Sequence, residues 1–322
     1  MANYLVTGGA GFIGSHLADS LLEKGHKVVV VDNFDEYYSR KIKEQNISNN
    51  IGKKNYIFIE GDLRSTNLIE KILKDYKITK IFHVAARAGI RSSVQDPQPY
   101  FDLNVNGTIS LLKASLNVGI EKIVFASSSS VYGIENYLPI DEKHPTIPIS
   151  PYGASKLAAE AFCHSFAHIY NKPLAVLRYF TVYGPRQRPD MAIYKFFFNA
   201  KAGKEITIYG DGNQTRDFTF VSDIVEGTIK AMESNATGIF NLGSGQRVKL
   251  NDVLKIIETC IGKPLKLSHI EKQKGDVPDT FSNIDKARKA FGYDPKVKIN
   301  EGIKIFYSWF EKNVVNSNST LQ

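Results

Sequence analysis

Tyr152 and Lys156 stand four residues apart in Tyr152-Gly-Ala-Ser-Lys156, near the start of a predicted helix from Pro151 to Tyr170. That spacing puts both side chains on one helix face. Free tyrosine, with a pKa of about 10, is a poor base at neutral pH. A nearby lysine ammonium favours the phenolate, and so does the positive ring of an oxidised nicotinamide. Upstream, a predicted strand from Glu121 to Ala126 runs into four serines, Ser127 to Ser130, and then Val131-Tyr132-Gly133. A hydroxyl from this strip can hold an alcohol oxygen and relay its proton. Beside a nicotinamide, such a group of side chains is equipped to oxidise an alcohol by hydride transfer. Tyr-x-x-x-Lys alone is common by chance, so its weight depends on elements that would bring a dinucleotide to it.

Those elements stand at the N-terminus, in MANYLVTGGAGFIGSHLADSLLEKGHKVVVVD. Tyr4 to Val6 reads as a buried strand, followed by a turn with Gly8, Gly11 and Gly14 in register. Ser15 to Lys24 spaces Leu17, Ala18, Leu21 and Leu22 as a helix, Gly25 closes it, and Val28 to Val31 is a second buried strand ending at Asp32. Strand, glycine turn, helix, strand and acid in this order form a dinucleotide-binding unit. The glycines admit the pyrophosphate to the backbone, and the helix N-terminus offers free N–H groups and a positive dipole end. Asp32 is placed to accept from the ribose hydroxyls and would repel a 2′-phosphate, which predicts NAD rather than NADP.

The 322 residues, 43% of them hydrophobic, suit one large domain or two moderate ones. No signal peptide or membrane span is evident. Cys163 and Cys260 are isolated from each other and from any His at ligand spacing, so free thiols in a reducing, cytoplasmic setting are expected and no metal is implied. The net charge of +8 comes from scattered basic residues without a base-stacking pattern, which argues against nucleic acid.

Strands are further predicted over Tyr56 to Glu60, Lys80 to Ala85 and Leu174 to Phe180, with helices over Asn67 to Tyr76 and Asp102 to Asn117. The alternation gives an α/β fold, a Rossmann-type doubly wound parallel sheet. Past Thr181 the alternation breaks into a smaller mixed α/β C-terminal substrate domain. The expected division is residues 1–180, with 217–243 returning to them, for the cofactor, and 181–216 with 244–322 for the substrate. Asp62, after the third strand, could accept from an adenine amino group or cap the following helix. Ala86 to Gly89 follow the fourth strand, where small residues let the chain pass close to a flat cofactor. Asn104 could touch the cofactor or tie strand ends together.

The pieces TGGAGFIG, VDN, GDLR, HVAA, the serine strip before VYG, YGASK, RYFTVYGP, GDGNQTRDFTFVSDI and GDVPDT resemble the extended short-chain dehydrogenase/reductase family. Within it the chain is similar to the nucleotide-sugar 4-epimerases, most of all those acting on UDP-glucuronate. The resemblance implies a tightly held NAD, reduced and reoxidised in each turnover, and a homodimer. The dimer would form through the helices containing Asn104 and Cys163, whose faces hold Leu111, Leu112, Phe162 and Phe166. It implies catalysis by Tyr152, Lys156 and Ser128. For the cofactor it implies Gly8, Gly11, Phe12, Ile13, Gly14, Asp32, Asn33, Lys43, Asp62, Leu63, Ala85, Ala86, Arg87, Asn104, Tyr179 and the Tyr152–Lys156 pair. For a UDP-sugar it implies Ser128, Ser129, Ser130, Tyr152, Thr181 and Arg188 at the sugar end. Thr207 and Tyr209 would surround uracil, Arg216 would meet the phosphates and Asp276 the ribose.

In the related dehydratases and UDP-glucuronate decarboxylases an acid precedes the VYG triplet. Ser130 holds that position here, which favours plain epimerisation. Arg87, Arg91, Arg186 and Arg188 are candidates to meet a substrate carboxylate, or Thr181 and the serine strip could hold it through neutral donors. The implied reaction turns UDP-glucuronate into UDP-galacturonate. UDP-glucose epimerisation, UDP-glucuronate decarboxylation and a non-catalytic NAD sensor are the alternatives.

Overall fold

Val28 and Val30 pack into one hydrophobic core, and Val29 and Val31 into a second on the other side of the sheet. Tyr4 and Val6 oppose Leu5 in the same way, as do Val124 and Ala126 against Ile123 and Phe125. A strand apolar at every position must be covered on both faces, and a parallel sheet flanked by helices does this. The computed structural model describes residues 2–271 and 277–315.

The elements run β1 Asn3–Thr7, α1 Phe12–Glu23, β2 Lys27–Asp32, α2 Arg40–Ile47, β3 Tyr56–Glu60, α3 Thr66–Asp75, β4 Lys80–His83, α4 Ile90–Gln95, α5 Gln98–Tyr100, α6 Gly107–Ala114, β5 Lys122–Ser128, α7 Pro151–Tyr170 and β6 Leu174–Tyr179. They continue with β7 Thr181–Tyr183, α8 Ala192–Lys201, β8 Ile206–Tyr209, β9 Thr215–Arg216, β10 Phe218–Phe220, α9 Val221–Glu233, β11 Gly238–Leu242, β12 Val248–Lys249, α10 Leu250–Ile261, β13 Leu267–Ile270, α11 Asp285–Phe291 and α12 Ile299–Phe310. The main sheet has seven parallel strands in the order β11-β6-β5-β4-β1-β2-β3. The order of strand addition reverses between β1 and β4, where an open α/β sheet forms its ligand crevice. Gly8, at φ +68°, lies in that crevice; a Cβ there would sit 2.6 Å from Ala85 Cα, so glycine lets the two strand ends approach.

Gly238–Leu242 does return to the main sheet, pairing with β6 from Gly238↔Ala175 to Leu242↔Tyr179. The strand Phe218–Phe220 instead pairs with β7. Small sheets β8–β13 and β9–β12 build the C-terminal part, with Phe197 of α8 stacked among Phe306, Tyr307 and Phe310. The helix expected over Asp102 to Asn117 begins as a wider π turn, Phe101–Asn106, and is α-helical only over Gly107–Ala114. The polar stretch after Asp32 folds in part as α2, and α4 falls where no helix is predicted. Among the described residues, no helix is long and apolar enough to cross a membrane.

Candidate active site

Ser150 starts α7: its Oγ accepts from Gly153 N at 3.1 Å, and Pro151 follows in the first turn. The helix then runs to Asn171, which closes it in the left-handed region at φ +47°. A Cβ on Gly153 would lie 2.4 Å from the Ser130 carbonyl oxygen, so glycine lets α7 close on the serine strip. Ser93 of α4 accepts from Tyr152 N at 3.1 Å, which holds the first turn from the other side. Tyr152, Lys156 and Ser127 to Ser130 thereby share the wall of one cleft at the C-terminal ends of the strands.

Tyr152 and Ser128 face the same cleft, and the Ser128 hydroxyl acts on the Tyr152 phenol. Burial raises the Tyr152 pKa, while the Ser128 hydrogen bond and the Arg188 charge pull it down. The expected lysine effect takes a different form here. The Lys156 ammonium lies 4.4 Å from the centre of the Phe125 ring, and the cation that acts on Tyr152 is Arg188. Burial brings Lys156 itself down to about 8, opposed by Cys163 and Glu160. Within the strip, Ser128 Oγ donates to Ser130 Oγ at 3.1 Å and accepts from Ser130 N at 3.1 Å.

The rest of the cleft wall fits a dinucleotide. Gly11 precedes α1 in extended backbone, and neither a capping side chain nor a first-turn acid occupies the helix N-terminus. Its N–H groups are therefore available to a pyrophosphate. Gly8, Gly11, Phe12, Ile13, Gly14, Asp32, Asn33, Lys43, Asp62, Leu63, Ala85, Ala86, Arg87 and Tyr179 all line the cleft, as do Thr181 and Arg188. Asp32 is held by Ala10 N at 3.1 Å and Phe34 N at 2.9 Å. Each of its oxygens keeps a lone pair for a ribose hydroxyl. The Tyr179 hydroxyl is 2.7 Å from Thr228 Oγ1, so it offers a ligand its ring and not its hydroxyl.

Three expectations change at this wall. Asn104 does not line the cleft: its Oδ1 accepts from Arg87 N at 2.8 Å and its Nδ2 donates to Arg87 O and Ser155 Oγ, both at 2.9 Å. It ties the chain after β4 to α7, with its amide fully engaged. Asp62 is not a helix cap, since α3 is preceded by Ser65; it pairs with Arg64 at 2.7 Å while facing the cleft. Arg186 points away to Asp19 of α1 at 2.7 Å and lines a separate small cavity with Lys53 and Lys54.

The GDP-mannose 4,6 dehydratase family model matches residues 5–306. The chain belongs to that family. It is a branch of the extended short-chain dehydrogenase/reductases, as the motifs imply. The chain is 38% identical to a UDP-glucuronate 4-epimerase of Thermodesulfobacterium geofontis, over 98% of each. It superposes on the Bacillus cereus UDP-glucuronic acid 4-epimerase, solved with UDP-glucuronic acid and NAD, with a TM-score of 0.92 and 36% identity; the match covers 96% of this chain and 99% of that one. A UDP-glucose 4-epimerase of Thermotoga maritima, solved with UDP-glucose, matches with a TM-score of 0.89 and 34% identity over 96% and 99%.

Of the residues expected around the nucleotide, Thr207, Tyr209 and Arg216 do not line the cleft. Thr207 is exposed on β8. Tyr209 is half-buried, with the Arg91 guanidinium 3.9 Å from its ring centre, so it is neither core nor cleft. Arg216 donates to the carbonyls of Thr215 and Pro278 at 2.8 and 3.0 Å. Asp276 lies outside the described residues. Conversely, Tyr37, Tyr38, Phe180 and Met191 line the cleft without having been singled out in the sequence. For Tyr37 and Tyr38 the signal is two aromatics in an otherwise polar stretch directly after Asp32.

Proposed function

We propose that the protein is an NAD-dependent UDP-sugar 4-epimerase that interconverts UDP-glucuronate and UDP-galacturonate. The meeting of Tyr152, Lys156 and Ser128 on one wall of a cleft that fits a dinucleotide carries this reading. Tyr152 takes the proton of the C4 hydroxyl, and Ser128 holds the same oxygen. The glycine turn and Asp32 would hold NAD, which when bound would supply a reversible hydride acceptor for C4. Lys156, on the same cleft wall, supplies a cation for the nicotinamide ribose. The 4-keto sugar then swings about its bonds to the diphosphate and presents its other face. Tyr152 returns the proton to the oxygen, and C4 is inverted. Arg188, on the same wall, meets the diphosphate.

Epimerisation without decarboxylation is supported by where the carboxylates sit. Among the described residues, those lining the cleft are Asp32 at the end of β2, Asp35 after it and Asp62 after β3, and none stands with Tyr152. Ser129, Ser130 and Thr181 surround the sugar end as neutral donors. A 4-keto uronic acid loses CO2 when its C5–carboxylate bond aligns with the carbonyl π system, and these donors hold it out of alignment. Residues 1–180 with 217–243 serve the cofactor, and 181–216 with 244–322 the nucleotide sugar. Free Cys163 and Cys260 are in keeping with a cytoplasmic setting.

A homodimer also belongs to this reading, through the two expected helices, with Phe162 on the exposed face and the other three apolar residues named for it inside. Leu111, Leu112 and Phe166 are core residues, whereas Phe101, Phe162 and Ile169 are exposed by 52%, 46% and 68%. This apolar exposure on α7 and the π turn is what a second copy would cover.

The deciding experiment incubates the purified protein separately with UDP-glucuronate and UDP-glucose, resolves the products, and identifies the cofactor released on denaturation. UDP-galacturonate and NAD are expected. UDP-galactose alone, UDP-xylose with CO2, NADP, or no turnover would each overturn a named part of the proposal.

A further inference from the structure

Arg188 reaches the cleft already held. Its Nε donates to Asp190 Oδ1 at 2.9 Å and its Nη2 to Oδ2 at 3.0 Å, which leaves Nη1 for a ligand. The Tyr37 hydroxyl donates to the same Oδ2 at 3.2 Å and lies 2.9 Å from Ser92 Oγ, which is 2.7 Å from Tyr100 Oη. The carboxylate can only accept, so the Tyr37 proton is committed to it. Ser92 can then donate to Tyr37 at 2.9 Å and Tyr100 to Ser92 at 2.7 Å, both shorter than their alternatives at 3.4 Å, the carbonyls of Gly89 and Ala88. The Tyr37 ring also lies 5.7 Å from the Arg188 guanidinium and 5.2 Å from that of Arg87. Gly89, at φ +123°, makes room for this: a Cβ there would stand 2.2 Å from Tyr37 Oη.

We propose that Tyr37 is a positioning residue for Arg188, acting through Asp190 to hold the guanidinium ready for the diphosphate of the nucleotide sugar. The inference rests on the assignment of Arg188 to that diphosphate. Arg188 acts electrostatically on both Tyr152 and Tyr38, and the Tyr38 hydroxyl is 3.9 Å from a Cβ built on Gly11. Arg188 therefore shares one cleft with the catalytic tyrosine and the glycine turn, where a diphosphate would run past the dinucleotide. A free arginine loses rotamer freedom when it binds, and one held beforehand does not. The chain of hydroxyls joins three segments, after β2, after β4 and after β7, so the arginine is set by tertiary contacts and not by its own loop.

The test uses the protein with its bound cofactor and UDP as the calorimetric probe, with steady-state kinetics on UDP-glucuronate. Tyr37→Phe keeps the ring and removes the hydroxyl; it should weaken UDP and raise KM by roughly 3- to 10-fold, with kcat falling less than KM rises. Asp190→Asn should act in the same direction. Ser92→Ala, one bond further out, gives a milder form of the test should Tyr37→Phe not fold. Adding Tyr37→Phe to Arg188→Met should cost nothing more, since the two residues act as a unit. If Arg188→Met binds UDP like wild type, the assignment of Arg188 is wrong. If Arg188→Met weakens UDP while Tyr37→Phe, Asp190→Asn and Ser92→Ala leave it unchanged, or if the double variant is additive, the positioning role is wrong.

Discussion

Glu160 sits one helical turn beyond Lys156 and grips Arg178 of β6 at two points, Nε to Oε1 at 3.0 Å and Nη2 to Oε2 at 2.7 Å. Neither side chain is more than 4% exposed. Ser127 also donates to Glu160 Oε1, and the Arg178 guanidinium lies 4.7 Å from the Tyr132 ring centre. This buried pair fastens the helix bearing Tyr152 and Lys156 to the strand end bearing the serines. Removing one partner of such a pair strands a charge in the interior, which costs about 3–5 kcal/mol. Glu160→Ala should lose stability on that scale in urea unfolding, and Glu160→Gln less. A loss below about 1 kcal/mol for Glu160→Ala, typical of an exposed pair, would show the pair to be dispensable.

Catalysis should depend on the Tyr152 hydroxyl and be tuned by Ser128. Tyr152→Phe is expected to cut turnover by about 10²-fold or more while NAD is retained. The Ser128 bond lowers the Tyr152 pKa, so its loss should raise that pKa. Because the base must be deprotonated, the acidic limb of the kcat profile in Ser128→Ala should move to higher pH. A profile that keeps its position would argue that Ser128 only binds the sugar.

Two buried histidines predict acid sensitivity. Burial, with the Lys156 charge, holds His83 at about 3, between Thr7 Oγ1 at 2.8 Å and Thr108 Oγ1 at 2.9 Å. Burial, with the Arg186 charge, holds His16 at about 4. In the unfolded chain both titrate near about 6.5. Below that pH the unfolded chain binds more protons, so stability is full above it and falls as pH drops toward the folded values. The slope is at most about 1.4 kcal/mol per pH unit for each histidine. His16→Gln should flatten the decline in urea midpoint between about pH 6.5 and 4.5. An equal decline in wild type and variant would remove His16 from this account.

Product fidelity should depend on Thr181. Thr181→Ala is expected to slow epimerisation and raise the decarboxylated fraction from UDP-glucuronate, measured as released CO2 beside the nucleotide sugars. Ser130→Glu should mainly weaken substrate binding, because it sets a like charge beside the carboxylate. An unchanged product ratio in Thr181→Ala would reject the restraint by neutral donors and leave the epimerase assignment standing.

Much of this molecule is decided by contiguous residues. Valines at every position of a short run require a doubly covered strand. Glycines in register before an amphipathic helix require a bare helix N-terminus. Ser150-Pro151 starts the helix that presents Tyr152 and Lys156 together. Each of these follows from backbone stereochemistry and side-chain periodicity within a few residues, and so each is legible in the sequence. The partners of long polar side chains are not. Whether Arg186 or Arg188 enters the cleft turns on Asp19 and Asp190, and on which side of the β7 connection each lies. Whether Asn104 touches a ligand or braces the backbone turns on Arg87 and Ser155, brought beside it by the strand order β1-β4-β5. Leu111 and Phe162 are equally apolar, yet only the packed sheet determines which is core and which is surface. Tyr37 shows the difference most directly: its value lies in Ser92 and Asp190, 55 and 153 residues away in the chain. Hydrogen bonds and ion pairs over such separations carry no local pattern, and only the tertiary structure decides them.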